Sequence, residues 1–92
     1  MMNAYDVTVL YRQIGKTFRE KGADRVILLR SRKYSDKSGM ELEVAVDGYI
    51  EKEELQKECK RLWPEVDIVI FDMNEEENID LLNEAMEDGI LL

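Results

Sequence analysis

The period of the apolar residues changes repeatedly along this chain, and that alternation constrains the fold more than any other feature. Between residues 6 and 22 the side chains Val7, Leu10, Tyr11, Ile14 and Phe18 recur at helical spacing and share one face. Asp6 is placed to cap this helix and Gly22 to end it, while Gly15 weakens its interior slightly. Residues 25–29 are a short continuous apolar run behind one arginine, the mark of a buried strand. Residues 30–39 read as a loop or a short helical turn. Residues 40–46 alternate polar with apolar over their first half, which predicts a strand with one open face. Asp47 and Gly48 then signal a turn. A second helix is expected over residues 51–62, with Leu55, Cys59 and Leu62 inward and Trp63 and Pro64 ending it. Residues 66–71 are the most apolar segment and predict a third strand. A third helix is expected to open at Asn74 or Glu75, turn Ile79, Leu82 and Met86 inward, and end at Gly89. Ile90, Leu91 and Leu92 suit an edge strand or a contact with a second copy.

Helices that alternate with strands favour an α/β (α+β) layer structure. Helices would pack on a mixed sheet of about three strands, with a short C-terminal strand added. The short link between the first two strands predicts that they pair antiparallel. Ninety-two residues suffice for one domain, residues 1–92, with one modest core. A deep active site would then need a second chain.

The net charge is −8. Proteins that wrap nucleic acid carry a basic stripe, so direct nucleic-acid binding is not expected. A nucleotide carried on a metal ion, or a basic protein partner, remains compatible with this charge. The chain has no histidine and one cysteine, Cys59. Ser-His-Asp and Cys-His catalysis are therefore excluded, and so is an internal disulfide. Any metal site must be built from carboxylates, which favours magnesium, manganese or calcium. Neither a signal-peptide pattern nor a long apolar run is present, so a cytoplasmic location without membrane contact is expected. Cys59 fits as a small core hydrophobe.

Glu41 and Glu43 flank Leu42. The period of two puts both carboxylates on one face while Leu42 and Val44 point to the core. Like charges side by side on a strand repel, and a divalent cation would relieve that repulsion. Asp67 interrupts the apolar third strand, where an unpaired buried charge is costly. If the third strand lies beside the second, Asp67 joins the pair as a third carboxylate, and such a triad suits metal-assisted phosphoryl or nucleotidyl transfer. The alternative is an ordinary solvent face, with Glu41 and Glu43 paired to Arg32 or Lys33 and Asp67 near a strand end in water.

Leu29, Arg30 and Ser31 precede this strand, and nine residues separate Ser31 from Glu41. Gly22 and Ala23 lead from the first helix into the first strand. Arg32 follows Ser31, and the chain closes on Glu87, Asp88, Gly89, Ile90, Leu91 and Leu92. Together these resemble the nucleotidyltransferase superfamily of DNA polymerase beta, and especially its minimal, antitoxin-type bacterial and archaeal members. The resemblance covers nearly the whole chain and implies a nucleotidyltransferase-like fold. It implies that Glu41, Glu43 and Asp67 hold magnesium or manganese, and that Asp67 helps activate the attacking hydroxyl. Ser31, with Arg30 and Arg32, would meet the phosphates of ATP or another nucleoside triphosphate. The implied reaction moves a nucleotide monophosphate to a hydroxyl. The implied partner is a small helical protein encoded nearby, while the apolar tail separately leads to the expectation of a homodimer.

Two positions depart from the family pattern. Arg30 stands where the family has glycine, which lets the backbone approach the phosphates; its planar fork either blocks that approach or binds phosphate itself. Glu41 replaces aspartate, and one extra methylene moves a carboxylate by about 1.5 Å. A misplacement of about 1 Å costs on the order of a hundredfold in rate. Weak or absent catalysis follows, with a non-catalytic interaction module as the alternative function. Arg30, Arg32, Lys33 and Lys37 form the basic cluster of an otherwise acidic chain, either a phosphate loop or a solvated one. Tyr34 reads as a loop tyrosine able to stack on a base. The many acids between Glu75 and Asp88 read as a solvated helix face, or else as a partner-binding one.

Overall fold

The computed structural model describes residues 7–36, 39–74, 80, 83 and 87–92. Helix α1 spans Val7–Glu20, strand β1 Ala23–Lys33, strand β2 Met40–Gly48, helix α2 Lys52–Leu62, strand β3 Val66–Asp72 and strand β4 Ile90–Leu91. The strands form one mixed sheet in the order β3-β2-β1-β4. β1 pairs antiparallel with β2 and with β4, and β2 pairs parallel with β3. The chain is therefore the expected α+β structure, with α1 and α2 packed on the sheet. The tail forms the anticipated edge strand.

Leu10, Ile14 and Phe18 lie four residues apart on α1 and are almost wholly removed from water. Leu55, Cys59 and Trp63 repeat that spacing along and just past α2. Both stripes meet Val26 and Leu28 of β1, Met40, Leu42, Val44 and Val46 of β2, and Val66, Ile68 and Ile70 of β3 in one core. Burying such side chains contributes about 1.5–3 kcal/mol each. Trp63 ends the helix as expected but also belongs to this core, and its indole N–H donates to the Gln13 side chain of α1 at 3.3 Å. Leu62, expected inward, is partly exposed instead, because the four-residue stripe runs through Trp63 and leaves Leu62 on its flank.

The helix expected at Asn74 or Glu75 falls mostly outside the described residues, with Ile79, Leu82 and Met86; residues 80, 83, 87 and 88 are helical. Asp6 and Lys37 also lie outside them. Gly15 is explained by packing. A β-carbon there would stand 2.8 Å from the Leu92 carbonyl carbon, so its absence lets the last residue lie against α1. Leu92 N–H also donates to the Val26 carbonyl at 2.8 Å. Among the described residues no helix is long and apolar enough to cross a membrane.

Cys59 is buried, and desolvation pushes its thiol up to about 12, with the charge of Glu58 adding to the effect. The thiolate is the reactive form. A thiol-specific alkylating reagent at neutral pH is therefore expected to label Cys59 only as fast as the domain opens. Labelling of the native protein at the rate of a free thiol would contradict this burial.

Candidate functional site

Helices α1 and α2 cover one face of the sheet, and the chemistry-bearing residues lie on the other, beside a second buried cluster of Ile27 and Ala45 with Leu29 and Met73. Leu42 and Val44 face the core, so alternation turns Glu41 and Glu43 to the opposite face, as expected. The parallel register sets Glu41 beside Asp67 and Glu43 beside Val69. The three acidic residues therefore share one face of two adjacent strands. Asp67 is the second residue of β3 and its side chain is 44% exposed, so the strand buries no unpaired charge.

β1 supplies the cations through a device that residue spacing does not reveal. Val26 and Leu28 face the core, and simple alternation would send Arg30 there too. The pairing shifts between Leu28 and Arg30, which leaves Leu29 as an extra residue. The shift resets the alternation. Arg30 now pairs with Glu43 and Arg32 with Glu41, both on the open face. Ser31 pairs with Leu42 and so lies on the other face. Residues 30–33, expected as a loop or helical turn, are thus strand, because Met40, Glu41, Leu42 and Glu43 offer them a pairing edge. The structure brings Arg30 and Arg32 to the carboxylates and separates Ser31 from them.

Among the described residues, Arg32, Lys60 and Tyr34 engage two of these acids, Glu41 and Asp67. The Arg32 guanidinium lies 3.3 Å from Glu41 Oε1. Lys60 of α2 places its ammonium 3.4 Å from Asp67 Oδ1. The Tyr34 hydroxyl donates a short hydrogen bond to Asp67 Oδ2. Tyr34 gets there through the β1–β2 connection, where its N–H donates to the Gly39 carbonyl at 3.3 Å. Gly39 sits at φ 106° and a β-carbon there would meet the Glu65 carbonyl oxygen at 2.3 Å. That close approach accompanies the hydrogen bond from Met40 N–H to the Glu65 carbonyl, which ties the start of β2 to the residue before β3. Lys60 is not legible as a site residue, and Tyr34 reads only as able to stack on a base, since each contacts Asp67 only through the sheet topology.

The hydrogen bond to Asp67 pushes the Tyr34 phenol up to about 12; desolvation and the charges of Asp67 and Glu41 add to it, and Arg32 opposes. The folded-state value lies above the ordinary 10.0, so the stabilisation is complete below about pH 10 and is lost as pH rises toward 12. Absorbance titration should show one of the four tyrosines ionising last. That late step should return to the ordinary range in Asp67→Ala. An unchanged titration curve in the variant would remove Asp67 as the cause.

Magnesium needs near-octahedral oxygen ligands at about 2.0–2.1 Å. Here both Asp67 oxygens and one Glu41 oxygen are engaged by groups of the protein. Among the described residues, no three acidic or thiol side chains are gathered to share a metal ion. A divalent cation at Asp67 or at Glu41 Oε1 would have to compete with these groups. What the face can do chemically is hold paired charges in a fixed register. No protein-family model, curated protein or solved structure matches the chain.

Proposed function

We propose that the chain is a nucleotidyltransferase-like domain, similar to the minimal antitoxin-type members of the DNA polymerase beta superfamily, in which nucleotidyl transfer is weak or lost. The observation that carries the reading is the register that sets Glu41 beside Asp67, with Glu43 on the same open face. Three features support weak or lost transfer. Arg30 occupies a strand where the family needs a glycine turn. Ser31 lies on the face away from the carboxylates. Arg32 engages Glu41, and Tyr34 and Lys60 engage Asp67. Incubation with labelled ATP and magnesium or manganese is expected to leave label on protein at background or slowly. Transfer at an ordinary enzymatic rate of about 1 per second or more would overturn this reading.

A second reading, a non-catalytic module that pairs with another chain, is favoured by one observation. Ile90 and Leu91 are 57% and 69% exposed on the edge strand β4. Unpaired strand edges bearing apolar side chains invite a partner strand. The partner would be a second copy or a small helical protein. Sedimentation equilibrium should then show a dimer that Leu91→Lys dissociates, and a monomer at every concentration would count against self-pairing.

A further inference from the structure

We propose that Arg32, Tyr34 and Lys60 act as a built-in clamp that does on this acidic face what a divalent cation would otherwise do, so that the folded domain takes up no metal there. The inference rests on reading Glu41, Glu43 and Asp67 as a former nucleotide site. Three separate elements converge on the acids: β1 through Arg32, the β1–β2 connection through Tyr34, and α2 through Lys60. Adjacent carboxylates repel, and opposite charge or hydrogen bonds beside them relieve that repulsion. Here two cations and one hydroxyl do so from within the chain. Asp67 is held from two sides, the phenol on Oδ2 and the ammonium on Oδ1. A metal ion approaching either oxygen would have to compete with one of these groups. The β-bulge at Leu29 is part of this device, because it is what turns Arg32 toward Glu41.

Manganese titration followed by paramagnetic broadening of backbone amide signals tests the clamp. The full chain is compared with a variant carrying Arg32→Gln, Tyr34→Phe and Lys60→Gln. A second variant, Arg12→Gln with Lys16→Gln on α1, loses the same charge elsewhere and controls for bulk attraction. Dispersed amide spectra establish that each protein is folded. The wild type and the control are expected to show no preferential broadening at Glu41, Glu43 and Asp67. The clamp variant should broaden there first, with affinity raised by about tenfold or more. Selective broadening of these signals in the wild type would overturn the proposal. So would a clamp variant that binds no better than the control. No nucleotide is present, so this outcome is separate from the transfer assay that tests the nucleotidyltransferase reading.

Discussion

Phe18→Ala is expected to lower the unfolding free energy by about 3–5 kcal/mol, the usual range for emptying a buried aromatic site. Phe18 is fully buried, in the stripe with Leu10 and Ile14 that fixes α1 to the sheet. A domain of this length has roughly 5–14 kcal/mol of total stability, from about 0.05–0.15 kcal/mol per residue. One substitution therefore removes a large share of it. Urea denaturation should show a lower midpoint with an unchanged slope. Tyr49→Ala provides the control, because Tyr49 is 96% exposed and should shift stability by no more than about 0.5 kcal/mol. A loss below about 1 kcal/mol for Phe18→Ala would mean that α1 does not pack as described.

Gly22→Ala is expected to cost about 3 kcal/mol or more, from backbone strain and a steric clash together. Gly22 has φ 109°, a region that residues with a β-carbon occupy only under strain. A β-carbon would also stand 2.1 Å from the Tyr49 carbonyl oxygen. The corner is reciprocal. Gly48, at φ 121°, brings its own α-carbon so close that an added β-carbon would lie 2.6 Å from the Gly22 carbonyl oxygen. Tyr49 N–H donates to that same oxygen at 3.2 Å. The end of α1, the start of β1 and the end of β2 are locked at this point, so relief of either clash must open the β1–β2 ladder. Thermal unfolding should show a large drop in midpoint for Gly22→Ala and a similar one for Gly48→Ala. A drop comparable to an ordinary surface substitution would show that the corner is not tight.

The elements were legible where period and punctuation agreed. Leu10, Ile14 and Phe18 spell α1, and Gly22 ends it. Glu41 and Glu43 are set on the open face by alternation with Leu42 and Val44. The antiparallel β1–β2 pair follows from its short connection. The site was less legible because it depends on register. Arg30 looked like the start of a loop, since a charged residue after an apolar run reads as a strand end, and a one-residue bulge cannot be seen in composition. The Tyr34–Asp67 hydrogen bond links residues 33 positions apart, and it depends on β3 lying beside β2, which the sequence offers only as a condition. Trp63 read only as a helix stop because proline follows it, yet its ring belongs to the core. The solvent-face alternative for Glu41 foresaw its partner Arg32.

Calorimetric titration of ATP with magnesium tests the central claim most directly, that Glu41, Glu43 and Asp67 are a nucleotide site closed by substitution. Three proteins are compared: the wild type, the clamp-free variant further carrying Arg30→Gly and Glu41→Asp, and that same protein with Glu43→Ala added. The account predicts little or no binding by the wild type, metal-dependent binding by the repaired protein, and its loss again in Glu43→Ala. Tight metal-dependent binding by the wild type, or a folded repaired protein that binds nothing, would contradict it.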